Sequence, residues 1–287
     1  MSENTKPNNE RPADLAVQDS VGGMARRLLN PAHLRDLAGR SVKTLREQGA
    51  EQLWRDVKFR VGLAMHHDDW RHRADIPLRR ELKAQRAAHL QGPKISIIVP
   101  LYNTPAKLFD EMLQSVVRQT YTNWELVLVD ASDAEKRLER RLPKAVPGTI
   151  VYEPIENGGI ALNTTRGFAL THGEYITLLD HDDVLYPNAL FEVVQTIQNT
   201  GADFVYSDEI VLSADLKELG GYHFKPDFAP DYLRGVNFIT HLAVFSRPLL
   251  DAAGAYESKE FDGAQDHDLI LRLTEKAQRI EHIKKVL

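Results

Sequence analysis

Beyond Gln91 the apolar residues fall into short blocks that alternate between two periods. KISIIVP at 94–100 is a β-branched run of the kind a strand buried on both faces requires. The stretch NTPAKLFDEMLQSVVRQ that follows predicts a helix. Thr104 would be its N-cap, Pro105 its first helical position, and Leu108, Met112 and Val116 its apolar face. NWELVLVD (123–130), TIVYEP (149–154), EYITLLD (174–180) and ADFVYSDE (202–209) read as further strands. A helix is expected over 161–171. Pro187 is expected to open another, PNALFEVVQTIQ, with Leu190, Val193, Val194 and Ile197 sharing a face. Strands alternating with helices of about ten to fifteen residues predict an α/β fold, a mostly parallel, Rossmann-like sheet flanked by helices.

The pattern before Gln91 differs. Residues 1–25 are rich in Asn, Glu, Pro and Ser and read as a disordered tail. From there to residue 90 the pattern is helical: Leu53, Val57 and Val61 repeat at i+4, with Arg55, Lys58 and Arg60 on other faces. The expected organisation is therefore a tail at 1–25, a basic helical extension at 26–90 and an α/β domain at 91–287. Two readings of the extension stand: it packs on the main domain, or its basic face rests on an anionic membrane surface. HHDDWRH at 66–72 matches no metal-ligand spacing and reads as a solvated loop.

Charge sharpens this division. Residues 26–90 hold 15 Lys or Arg against 8 Asp or Glu, whereas 91–287 hold 19 against 29. The acidic surplus of the larger part argues against nucleic-acid binding there. With no cysteine, thiolate nucleophiles, disulfides and Cys-based zinc sites are excluded. The polar N-terminus has no apolar signal core, and no apolar run reaches the length of a membrane span. The expected location is cytoplasmic, at the inner face of a membrane on the second reading of the helices.

One stretch concentrates the candidate chemistry. TLLDHDDVL at 177–185 sets Asp180, Asp182 and Asp183 against a buried-type strand. Two like charges ~4 Å apart repel by roughly 4 kcal/mol at an effective dielectric near 20, so water, protons or a cation must relieve them. Asp130, Asp180 and Asp208 each end a predicted strand, where open α/β sheets bind ligands. If the chain stays extended, Asp180 and Asp182 point to one side, a pairing suited to Mg²⁺ or Mn²⁺ on a substrate phosphate. The competing reading has these acids complementing the dipole of the helix at Pro187. Neither a P-loop nor a G-x-G-x-x-G is present.

In their order and spacing, ISIIVPLYNTPAKLFDEMLQSVVRQTYTNWELVLVD, NGGIALNTTRGFALTHGEYITLLDHDD and FDGAQDHDLILRLTEKAQRIEHI resemble a family 2 glycosyltransferase of the GT-A fold, bacterial surface-polysaccharide type. The resemblance implies an inverting, metal-dependent enzyme. It would move a sugar from a nucleotide-diphosphate sugar, UDP-linked by first expectation, to a bacterial glycan or lipid-linked saccharide. It places Pro100, Tyr102, Asn103, Asp130 and Asp180 at the donor nucleotide. Asp180 and Asp182 would hold the metal, Mn²⁺ or Mg²⁺, with Asp182 the more direct ligand. Asp266 would be the catalytic base and Asp268 its rival. Asp183, Asp208, Glu209 and His241 would support the cleft or meet the acceptor, and Lys225, Asp227 and Asp231 would belong to a loop over it.

Two departures from the family pattern bear on function. Ala131 stands where a second acid commonly follows the second strand. The stop at Leu287, directly after RIEHIKKVL, suggests a domain cut short or a different last metal ligand. Both keep a rival in play, a non-catalytic GT-A module that binds sugar nucleotide or scaffolds polysaccharide assembly. A sugar-nucleotide pyrophosphorylase would need a glycine-rich basic loop after the first strand, and PLYNTPAKL is not one.

Overall fold

The computed structural model describes residues 77, 79–213, 216, 219–256 and 259–287. The tail at 1–25, the extension as far as residue 76 and the membrane contact expected of it lie outside the described residues. Helix α1 (Arg79–Ala88) buries none of its residues. Polar bonds hold it to the domain that follows. Gln85 donates to Glu192 at 3.4 Å and accepts from Thr120 at 2.9 Å, while Arg86 donates to the Arg118 carbonyl at 3.2 Å.

Short 3₁₀ turns aside, the elements after α1 are β1 (Ile95–Leu101), α2 (Ala106–Val117), β2 (Trp124–Asp130), β3 (Thr149–Pro154), α3 (Ile160–Leu170), β4 (Tyr175–Leu178) and α4 (Ala189–Thr200). They continue with β5 (Phe204–Leu212), β6 (Leu219–His223), α5 (Pro230–Gly235), β7 (Ala243–Ser246), α6 (Arg247–Ala253), α7 (Gln265–Lys276) and β8 (Ile280–Val286). The sheet order is β3-β2-β1-β4-β7-β5-β6, with β8 also paired to β5. β3, β2, β1 and β4 are parallel, as the βαβ pattern requires. β7 runs antiparallel to both β4 and β5, so β5 points the same way as β4.

The central strands are apolar because helices cover both their faces. Every residue of β2 is buried, and only Pro100 of β1 is partly open. Alternation sends Ile95, Ile97, Val99 and Leu101 into one core with Met112 of α2 and Val194 of α4. Ile98, Val127 and Val129 enter a second core with Phe168 of α3, Leu250 of α6 and Leu273 of α7. Each such side chain contributes ~1.5–3 kcal/mol by leaving water. The helix α3 backbone lies so close to β1 that a Cβ on Gly167 would stand 2.4 Å from Ile98 Cγ2.

Helix starts depart from the sequence pattern. Pro105, rather than Thr104, occupies the cap of α2, and no side chain caps that end. The buried face of α2 is Phe109, Met112, Leu113 and Val116, with Leu108 only partly covered. Helix α4 starts at Ala189, two residues beyond Pro187, with Asn188 as its cap.

Candidate active site

The parallel strands bring their carboxyl ends to one edge, so Asp130, Asp180 and Asp208 gather there. Strand β4 ends at Leu178, and Leu179 is buried in the first core. The chain then turns, the Asp183 N–H donating to the Asp180 carbonyl at 3.2 Å. This turn removes the premise that paired Asp180 with Asp182. The carboxylate grouped with Asp180 belongs to Asp183, and Asp182 is exposed along the neighbouring cleft.

His241 completes the group. Its Nε2 lies 3.3 Å from an Asp180 oxygen and 3.5 Å from an Asp183 oxygen. Among the described residues, one candidate ligand atom from each of the three lies within 4.8 Å of the others. Burial works against the charged form of His241. The Asp180 hydrogen bond and the charges of Asp180, Asp183 and Glu209 outweigh it and raise the pKa to about 9. The bond to His241 holds Asp180 below the usual carboxylate range. Burial, then repulsion from Asp180, Asp182 and Glu209, lifts Asp183 above it. Two carboxylate oxygens and an imidazole nitrogen, with Asp180 exposed and Asp183 and His241 half-buried, fit a divalent cation.

Asp266 stands opposite, in the first turn of α7 rather than at its cap, which is Ala264. Asp266, Thr240 and His241 share a small apolar cavity of about 50 Å³ whose other walls include Leu178, Phe245 and Leu269. Desolvation by these walls, reinforced by the Asp180 charge, raises the Asp266 pKa. Asp268, its rival, is occupied: it accepts a hydrogen bond from Arg272 Nε at 2.9 Å, and Arg272 Nη2 lies 2.8 Å from the same oxygen as an ion pair. Asp262, four residues before Asp266, accepts from the Ala161 N–H at 3.0 Å and so ties this segment to the start of α3. The approach needs glycine, since Gly159 has φ +92° and a Cβ there would lie 2.2 Å from Asp262 Oδ2.

A larger cleft of about 350 Å³ opens on the other side of the cluster, lined by Leu108, Asp182, Asp183, Glu209, His241 and Leu287 among others. Pro100 near the end of β1, and Tyr102 and Asn103 just after it, lie towards the same edge but line neither cavity. Tyr102 is half exposed, and Asn103 fastens the loop by donating its N–H to Ser132 Oγ at 2.7 Å. Asp130 is wholly buried, accepting from the Ser132 N–H at 2.9 Å and from the Tyr152 hydroxyl. In this state it organises the loop after β2 rather than offering an open oxygen. Asp208 is likewise buried, accepting from the Lys225 N–H at 2.8 Å with His282 Nε2 at 2.9 Å.

Lys225 lies on the irregular segment after β6, and its side chain is wholly inaccessible. Asp227 pairs with Lys284 and His282, and Asp231 with Arg234 on the surface. Sequence reasoning missed Thr240, which donates to Glu209 at 2.7 Å, and His223, whose Nδ1 lies 2.7 Å from the same carboxylate. The one available signal was Lys225 itself, a lysine set between Phe224 and Pro226. Among the described residues no helix is long and apolar enough to cross a membrane.

Comparison with known proteins bears on this arrangement. The chain is 35% identical over 199 residues to the O-antigen biosynthesis protein RfbC of Myxococcus xanthus, a match covering 68% of this chain and 16% of RfbC. It spans only 16 to 22% of the length of the two curated relatives that match it over 68% of its own. The fold is shared with S. aureus TarS (1–349) in complex with UDP-GlcNAc, at a TM-score of 0.55 and 20% identity over 67% of this chain and 56% of that one. It is shared also with the mannosyltransferase PcManGT of Pyrobaculum calidifontis in complex with GDP-Man and Mn²⁺, at a TM-score of 0.50 and 22% identity over 68% and 56%. A family model described as Glycosyl transferase family 2 matches residues 96–245, more than half of the chain. These strands, this acid-rich edge and the residues between them place the chain in glycosyl transferase family 2.

Proposed function

We propose that this chain is the transferase domain of an inverting, cation-dependent enzyme that moves a sugar from a nucleoside diphosphate to a hydroxyl of a bacterial glycan or lipid-linked saccharide. One observation carries the reading: Asp180, Asp183 and His241 form a cation-sized group, and Asp266 shares a cavity with that histidine. A bound divalent cation would supply counter-charge to the leaving diphosphate. Asp180 and Asp183 would hold it with carboxylate oxygens and His241 with Nε2 once its proton has left. The nitrogen donor favours Mn²⁺ over Mg²⁺, which prefers an all-oxygen shell. Asp266 takes the proton as the acceptor oxygen bonds to the anomeric carbon and the bond to the diphosphate oxygen breaks. Displacement from the opposite face inverts that centre. The UDP-linked donor is supported by the UDP-GlcNAc complex of TarS, and the glycan acceptor by the name of RfbC.

Calorimetric titration of UDP with and without Mn²⁺ tests the cation set. Asp183→Ala should weaken the Mn²⁺-dependent part of binding by at least ~tenfold, a loss of ~1.4 kcal/mol. Asp182→Ala should change it less. The reverse order would return the cation to the Asp180–Asp182 pair.

A further inference from the structure

His241 stands on residues 236–242, which form neither helix nor strand between α5 and β7. A side chain on such a segment holds a fixed place only if its backbone is held. One ion pair, between the buried Lys225 and the half-buried Glu209, takes both backbone groups of this residue. Glu209 Oε2 accepts the His241 N–H at 2.9 Å and the neighbouring Thr240 hydroxyl at 2.7 Å. The Lys225 ammonium donates to the His241 carbonyl and lies 3.2 Å from the same Glu209 oxygen. The second Glu209 oxygen meets His223 Nδ1 at 2.7 Å. Glu209 belongs to β5 and Lys225 follows β6, so the grip on His241 is anchored in the sheet.

We infer that Glu209 and Lys225 are positioning residues that clamp the His241 peptide and aim its imidazole at the oxygens of Asp180 and Asp183. The inference rests on the reading that His241 joins those two carboxylates around a cation. A largely desolvated Lys–Glu pair gives little net stability, because removing the charges from water offsets most of their attraction. Its geometric consequence is specific: neither partner is one of the three candidate ligands, yet both fix the backbone of one of them. Groups of this kind around metal ligands typically change metal affinity by about 10–100-fold when removed.

The test titrates Mn²⁺ alone into the whole chain, read by electron paramagnetic resonance. Electron spin-echo detection of imidazole nitrogen coupling to the bound ion supplies the second readout. Wild type is compared with Lys225→Met, with the double variant Glu209→Gln/Lys225→Met and with His241→Ala. The double variant removes both charges together, so it leaves no unpaired buried charge and protects folding should Lys225→Met alone unfold. Cooperative thermal unfolding checks each fold. The clamp predicts a double variant that folds, binds Mn²⁺ about 10–100-fold more weakly and loses most of the nitrogen coupling. Wild-type Mn²⁺ affinity with intact coupling in the folded double variant would overturn it. Wild-type affinity in His241→Ala would instead overturn the cation reading beneath it.

Discussion

Asp266 faces two demands that conflict. As a base it must be ionised, yet the apolar walls beside it and the Asp180 charge disfavour ionisation. Its folded pKa lies above the unfolded value, so the native state binds the proton more tightly. The stability this group contributes is complete below the ordinary carboxylate range and is lost as pH rises through the raised value. At neutral pH ionised Asp266 therefore costs stability. Asp266→Asn should melt at a higher temperature than wild type at pH 7, with the difference fading near pH ~4. The same variant should turn over ~10²–10⁴-fold more slowly. The acid limb of wild-type kcat/KM should fall above the usual carboxylate range. A lower melting temperature at pH 7, or unchanged turnover, would remove Asp266 from the base role. At this scale the positions of Asp180 just after β4 and of Asp266 in the first turn of α7 were legible, because strand ends and helix starts can be read from periodicity. The grouping of Asp183, rather than Asp182, with Asp180 was not legible, because the turn at 180–183 is invisible to periodicity. Asp130 was expected to face the nucleoside; that it is buried and accepts from the hydroxyl of Tyr152, 22 residues away, was not legible.

Helices and strands add a second kind of constraint, in which one small residue sets how near two elements stand. Gly167 lets α3 lie directly on Ile98 of β1, the strand whose end leads into the Tyr102–Asn103 loop. Gly167→Val should overpack that contact and lower stability by ~1–3 kcal/mol in urea unfolding. Unchanged stability would mean the two elements can part without cost. The parallel half of the sheet was readable because β1 and β2 are buried on both faces and so lack polar alternation. The antiparallel half was not, since β7 is four residues long and follows directly on the loop that carries His241. Thr104 looked like a cap by residue type, but Pro105 in extended conformation occupies that position.

For the whole molecule, the two cavities and the acidic edge converge on one sheet margin, as the strand-end rule for α/β folds anticipates. Family membership came from the order and spacing of motifs spread over nearly two hundred residues, which local turns do not disturb. The arrangement around His241 draws on β5, β6 and the segment before β7 at once, and no single stretch of sequence encodes it. The most direct measurement is nucleoside diphosphate release from UDP-, dTDP- and GDP-sugars with Mn²⁺ or Mg²⁺ and a lipid-linked saccharide extract, with wild type and Asp266→Asn run together. Wild type is expected to release UDP from at least one UDP-sugar, to stop when the cation is chelated, and to exceed Asp266→Asn by ~100-fold or more. Silence from a folded wild type that still binds Mn²⁺ and UDP would contradict catalysis and leave a sugar-nucleotide-binding module.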